Sequence, residues 1–434
     1  MKLKILNIIL FFAAIFILFS FSGAAAEKFE LWCWGSPMYI QEWLTDFAKA
    51  HPELTKGIIS KAIGIPQGEG GIRQRVMVSW AAKAGLPDII QQNAPSIIQL
   101  APTGVLEDLT DLLAPYKENL SPELLNACSY KGKIYGFTWR PNPCMLFYRV
   151  DIFEKTGISA EGMRTWEDYI AAGKKIYGAS GGKTYMTYIP LAAPGWLYVP
   201  AFLEQQHLDF FDKEGNCIID TDPGAITALK LIDRFAKEKV GLVMNDWDAS
   251  WFAAIKEGKL ASLISANWMD EFLKQQAPEL SGKWRVMQYP AFTPGGSRNA
   301  SEAGGPTLCV ISASKYKDLA KKIIEWQFFN KERVVAWAES MNSRGLTIFL
   351  PHYKGVWEES IFHLPDPYYG GQSQKEMELK CLEGAYTMKF TKDYWEALNY
   401  INVELAKAVA GKITIDEAIK AAGDTIRKKI GISK

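Results

Sequence analysis

Phe29-Glu30-Leu31-Trp32-Cys33-Trp34-Gly35-Ser36-Pro37 sets the first unit of the fold. Its first six residues read as a strand, and Gly35-Ser36-Pro37 ends it. Ser36 is placed to cap a helix whose first position is Pro37, where a missing N–H costs nothing. Apolar residues then recur at Ile40, Trp43, Leu44 and Phe47, the spacing of one helical face. A second helix is expected around Ile72, Val76 and Trp80, ending near Gly85. Pro87-Asp88-Ile89-Ile90-Gln91 then reads as a short buried strand. Strand, helix and strand in this order predict a parallel sheet with helices on its faces.

The same alternation runs on through the chain. Leu146-Phe147-Tyr148 is strand-like, and Thr165 caps a helix through Tyr169, Ile170 and Ile176. Asp222-Pro223 opens a helix carrying Ile226, Leu229 and Phe235. Leu260 to Ile264 is a strand entering a helix at Trp268, and Thr307 to Ile311 is a strand before a helix through Ile323, Ile324 and Trp326. The last stretch is helical: Tyr394 to Val409 stops at Gly411, and Thr414 with Glu417 forms a capping box for a final helix through Ile426. Gly/Pro clusters at 64–71, 190–195, 294–306 and 365–371 mark loops and crossovers.

Composition and spacing exclude several functions. The net charge is +1, with acids and bases balanced, which gives no support to nucleic-acid binding. Gly178-Ala179-Ser180-Gly181-Gly182-Lys183-Thr184 is one residue short of a phosphate loop and follows a helix, so it reads as a turn. The four histidines lack metalloprotease spacing, no serine-nucleophile elbow exists, and six dispersed cysteines lack a C-x-x-C pair. No cofactor or metal is expected. Lys2 and Lys4, the uncharged run Ile5 to Phe21 and Ala24-Ala25-Ala26 form the order of a cleaved secretory leader, residues 1–26. The alternative is an uncleaved anchor, because the run approaches the length that spans a bilayer. Fifteen tryptophans in an exported chain point to ligands with flat apolar faces.

Certain segments, in order, resemble the family 1 extracellular solute-binding proteins of ABC importers, the group that includes maltose-binding protein. They are Ala84-Gly85-Leu86-Pro87-Asp88-Ile89-Ile90, Gly104-Val105-Leu106-Glu107-Asp108-Leu109-Thr110 and Lys133-Ile134-Tyr135-Gly136-Phe137. Leu146 to Phe153, Thr165-Trp166-Glu167-Asp168-Tyr169 and Gly258-Lys259-Leu260-Ala261 with Trp268 follow. Gly304-Gly305 before Thr307, Gly370-Gly371-Gln372 and Ala410-Gly411-Lys412-Ile413-Thr414 complete the order. The resemblance covers essentially the whole chain after the leader. It implies the α/β periplasmic binding protein fold: two lobes, a hinge and a ligand cleft between them. Residues 27–140 plus 300–345 would build one lobe, and 141–299 plus 346–434 the other. It also implies a monomeric, non-enzymatic receptor that takes a carbohydrate to the transmembrane subunits of an ABC permease. Two other readings stay open at this point: the same receptor with a phosphate ester or polyamine as cargo, and a secreted glycoside hydrolase with a carboxylate pair.

A sugar presents a C–H face that suits an aromatic ring and a rim of hydroxyls that needs fixed polar partners. Trp34, at the end of the first strand, is either a cleft ring or a core aromatic. Gln92 and Asn93 follow the Pro87-Asp88 strand, and Arg140 and Asn142 lie in a crossover stiffened by Pro141 and Pro143. The resemblance places ligand contacts at both positions. It also matches Trp196 to an aromatic platform and Trp268 to a stacking ring, with Asn267 and Asp270 beside Trp268. Gly304 and Gly305 would let backbone approach the ligand, and Arg344, Tyr369 and Gln372 complete the candidates. Trp247 and Trp251, at helical spacing, read as core.

Overall fold

A computed structural model describes residues 27–35, 37–66 and 71–433. The leader segment and the Ser36 cap lie outside the described residues. The opening strand, Glu27–Cys33, buries Phe29, Leu31 and Cys33 on one face, while Trp32 and Trp34 fall half-buried on the other, as strand alternation requires. Pro37–Ala50 is the expected helix, and Tyr39, Ile40, Trp43, Leu44 and Phe47 are its buried stripe.

A five-stranded sheet is ordered Ile58–Gly64, Glu27–Cys33, Ile89–Gln92, Thr307–Val310 and Phe137–Thr138. The first three strands are parallel, as predicted for Glu27–Cys33 and Ile89–Gln92, but Thr307–Val310 runs antiparallel to both of its neighbours. The sheet is therefore mixed. The edge strand Ile58–Gly64 was not anticipated, and its sequence explains why. Ile59 is exposed and only Ala62 is buried, so no inward apolar face announces it.

A second sheet is antiparallel, with Cys144–Arg149 between Ser262–Ala266 and Trp284–Met287. Thr187–Pro190 and Gly241–Met244 make a parallel pair beside it. Around these sit Trp166–Ala179, closed at its start by the Thr165/Asp168 capping box, and Pro223–Lys237, capped by Asp222. Tyr394–Val409 and Ile415–Lys429 pack on each other and on Pro223–Lys237. The Thr414/Glu417 box forms as read.

The chain passes between the sheets along paired extended segments. The Trp139 N–H donates to Pro306 O, Glu302 N–H to Asn142 O, and Cys144 N–H to Ala300 O. Pro143 and Ser301 are antiparallel bridge partners. Segment 346–363, expected with the second sheet's region, packs instead on elements of the first. Leu350, Val356, Ile361 and Phe362 cluster with Val334 and Ala338, and Phe349 lies edge-on to Trp139. His352 is buried there: its Nδ1–H donates to Thr138 O (2.9 Å), and its Nε2 accepts the Ser121 N–H (2.8 Å). All six cysteines are buried and free. Among the described residues no helix is long and apolar enough to cross a membrane.

Candidate functional site

The site grows out of the crossover. Arg140 and Asn142 lie on its first segment and Glu302 on its second, with Asn267 at the end of the Ser262–Ala266 strand. Asn142 donates its Nδ2–H to Glu302 Oε2 (2.8 Å). Asn267 donates from Nδ2 to Pro141 O (3.0 Å) and to Glu378 Oε2 (2.8 Å), and its backbone N–H reaches Pro143 O. Both asparagines are buried, and each keeps an Oδ1 with no partner; the Arg140 Nε–H is likewise unsatisfied. Buried polar atoms are rarely left unpaired. Three such atoms stand on this one junction.

Aromatic rings form the adjoining wall. Trp268 is the N-cap residue of Met269–Gln276, so the strand-to-helix turn sets its position. Trp196 stacks beside it at 6.4 Å between centroids and 30° between planes, and Trp247 follows at 5.5 Å and 39°. Phe272 meets both Trp247 and Trp268 edge-on. Trp196 and Trp268 are half-buried, and Trp247 is 38% exposed. The Trp196 indole N–H donates to Asp246 Oδ2 (3.2 Å). Trp247 has a left-handed backbone (φ 62°), which a bulky residue adopts only when its surroundings hold it.

Charge at this junction is predominantly acidic. Burial pushes Glu302 up to about 6, against the pull of Asn142, the Trp268 indole beside it and Arg140. Burial likewise raises Asp246 and Glu271, the latter opposed by Arg140. Arg140 is drawn below the usual guanidinium range by its own burial, with Glu271, Glu378, Glu302 and Asp270 acting the other way. Its guanidinium sits 4.5 Å from the Phe349 ring centroid. Glu271 also lies against Tyr39 of the Pro37–Ala50 helix, which brings the first sheet's helices up to the Trp268 helix.

Other sequence candidates take structural roles. Asp270 is fully buried; burial acts to raise it, yet Lys274 and Lys375 hold it below the usual range, and the Tyr369 hydroxyl donates to it (2.9 Å). Tyr369 is itself fully buried. Gln372 replaces a strand neighbour, accepting the Val286 N–H and donating to Val286 O. Arg344 is an exposed helix-end residue forked onto Glu42. Gly305 (φ 99°) is needed for another reason than ligand approach. A Cβ there would stand 2.2 Å from Arg140 O, so the glycine lets the crossover segments meet, and Gly304 abuts Ala94 and Leu124. Asn93 occupies the N-cap position of Ala94–Leu100 and its side chain accepts the Ser96 hydroxyl, while Gln92 is buried in register with Thr307.

Sequence reading missed Glu302, Asp246 and Trp247. Glu302 stood in a Gly/Pro-rich loop, two residues before Gly304. Trp247 shares helical spacing with Trp251, but the side chain of Asp248 accepts from Ser250 and Trp251 N–H and starts the helix after Trp247. The signal was the cap. Trp251 is buried as core, and Trp247 is not.

Two α/β sheet units, joined by paired crossover segments with an aromatic and polar junction between them, define the class of two-lobed solute receptors. Residues 43–353 match the family described as Bacterial extracellular solute-binding protein, and the chain belongs to that family. It is 24% identical to an arabinooligosaccharide-binding protein of Halalkalibacterium halodurans over 82% of this chain and 79% of that one. It is also 24% identical to a lactose-binding protein of Rhizobium radiobacter, covering 81% of each. Among solved structures, the ABC-transporter-associated binding protein of B. animalis subsp. lactis in complex with β-1,6-galactobiose superposes with a TM-score of 0.77. That pair shares 23% identity over 94% of this chain and 99% of that one. The galacto-N-biose/lacto-N-biose I-binding protein of Bifidobacterium longum gives 0.76 at 18% identity, covering 95% and 100%. The family is one of extracellular binding proteins.

Proposed function

We propose that this protein captures a carbohydrate between its two lobes and presents it to the permease of an ABC importer, with no chemistry on the ligand. The carrying observation is the wall of Trp196, Trp268 and Trp247 beside the unsatisfied Asn142, Asn267 and Arg140 atoms. Rings offer π-faces to sugar C–H groups, and the amide oxygens and guanidinium offer fixed partners for hydroxyls. Relatives named for arabino-oligosaccharides and lactose support the same cargo class.

In this reading the leader is removed before Glu27 and the receptor works as a periplasmic monomer. One lobe is 27–140 plus 300–345, with 346–363 riding on it, and the remainder forms the other. Closure of the lobes over the ligand is the signal to the permease, as a hinge transition. Trp268, Trp196, Asn142, Asn267 and Arg140 hold the ligand, and Trp247 and Glu302 join them.

A thermal-shift screen of the chain from Glu27 onward tests this. Neutral mono- and oligosaccharides are set against phosphate esters and polyamines. A ligand at 100 times its dissociation constant stabilises the fold by about 2.7 kcal/mol. A saccharide shift without hydrolysis is expected; a shift with charged non-sugars alone would overturn the cargo.

A further inference from the structure

We propose that the buried ion pair Lys375–Glu378 is a positioning unit for ligand binding: from the helix Gln374–Leu382 it holds the Asn267 amide so that Oδ1, and not Nδ2, is presented to the bound saccharide. This rests on the carbohydrate reading above and goes past it, to the groups that set the polarity of one contact.

The bonds of Asn267 carry the argument. Its Nδ2 donates both hydrogens, one to Pro141 O on the first crossover segment (3.0 Å) and one to Glu378 Oε2 (2.8 Å). Turned end for end, the amide would set its oxygen against those same two acceptors, so one orientation is strongly favoured. In that orientation Oδ1 is buried and has no partner among the described residues. A donor completes such an oxygen, and saccharide hydroxyls are donors.

Glu378 is itself fixed. Its Oε1 accepts from the Lys375 ammonium, which also donates to Gln374 Oε1, and Gln374 turns its own Nε2 to Met145 Sδ (3.6 Å). All three side chains are buried. The helix that carries them is fastened to the second crossover segment as well: Asn299 donates from Nδ2 to Lys380 O (3.1 Å) and to Glu383 O (2.6 Å). Gln374–Leu382 therefore grips one crossover segment through Asn267 and Pro141, and the other through Asn299.

Stability alone gives little reason for this pair. Taking two charges out of water costs about as much as their attraction returns, and well-packed apolar residues of similar volume often serve a fold equally well. What an apolar pair cannot supply is the second acceptor that Asn267 uses. Without Glu378, Pro141 O alone would hold the amide, one Nδ2–H would stand unpaired, and the side chain could turn.

Two neutral double variants of the chain from Glu27 onward isolate the acceptor. Lys375→Met/Glu378→Leu removes both the charges and the acceptor, whereas Lys375→Met/Glu378→Gln removes the charges and keeps an acceptor oxygen. Both are titrated calorimetrically with lactose, arabinobiose and β-1,6-galactobiose. For the tightest of the three sugars, the Leu variant should bind at least about fivefold more weakly than wild type, and the Gln variant within about twofold of it. In an Asn267→Ala background the change to Met and Leu should alter affinity by less than about twofold, because the pair acts through that amide. Hydrogen exchange of the Asn267 Nδ2 protons, followed by NMR in the ligand-free protein, should be slow in wild type and the Gln variant and fast in the Leu variant. Should the Leu variant not fold, that exchange decides: a fast-exchanging amide in wild type would overturn the assignment. Unchanged affinity in a folded Leu variant, or losses that multiply with that of Asn267→Ala, would overturn it while leaving the receptor reading intact. Binding of none of the three sugars by a wild type whose amide is protected would instead overturn the carbohydrate reading, and the ligand contact assigned here with it.

Discussion

Two tryptophan clusters sit in this molecule, and they are built differently. Trp139 and Trp337 both meet Trp43, all three are nearly inaccessible, and they pack with Phe328 and Phe349 mostly edge to face, at 5.0–5.9 Å. They fill the space beneath the helix Pro37–Ala50 and the sheet, where the favoured quadrupole geometry and burial coincide. Trp196, Trp268 and Trp247 lie at tilts of 30–39°, keep part of their surface in water and have acids beside them. Exposed apolar area with a polar rim is costly to keep and marks a binding surface. The first cluster holds the fold; the second is held by it.

That contrast is broken most easily from the buried side. Trp43→Ala should cost about 3–5 kcal/mol of stability, as large core truncations do, while leaving saccharide affinity of the folded fraction unchanged; denaturant melts and titration check both halves. Next in size is the acid response of His352, stacked on Phe137 at the margin of the same cluster. Burial depresses it from 6.5 to about 4. The unfolded chain therefore binds the proton first as pH falls. The stability contributed is complete above pH 6.5 and lost towards pH 4, about 3 kcal/mol in all. His352→Gln should flatten that part of the pH–stability profile.

The exposed cluster should respond in the opposite sense. Trp268→Ala is expected to weaken saccharide binding by about 1–3 kcal/mol with little change in the melt of the ligand-free protein. Trp247→Ala should do the same more weakly, by about 0.5–1.5 kcal/mol. Its left-handed backbone adds a sharper check: Trp247→Gly should weaken binding as Ala does, yet melt higher than the Ala variant because the strain is relieved.

Much of this was legible in the residues, for identifiable reasons. The Thr165 cap and the Thr414/Glu417 capping box depend on groups within one turn, so local sequence places them to the residue. Trp268 and Trp196 were expected from the family resemblance and Asn142 and Asn267 from the crossover and strand end they occupy, and the fold places the four near one another. Arg344, Asp270, Tyr369 and Gln372 are tied to partners far away in the chain: Arg344 to Glu42, Asp270 and Tyr369 to each other, and Gln372 to Val286, which no local pattern predicts. The same long-range pairing hid Glu302, whose meaning comes from Asn142, 160 residues earlier. Segment 346–363 crossed back to the first sheet's region on apolar contacts that a loop-rich sequence does not advertise.

The central claim is that the half-exposed tryptophan cluster is where ligand binds. Its most direct test is calorimetric titration of wild type and Trp268→Ala with the neutral saccharide that most raises the melting temperature. At least about a fivefold loss of affinity, in a variant whose ligand-free melt matches the wild type, is the predicted result. Unchanged affinity in that folded variant would contradict the account and move the ligand elsewhere.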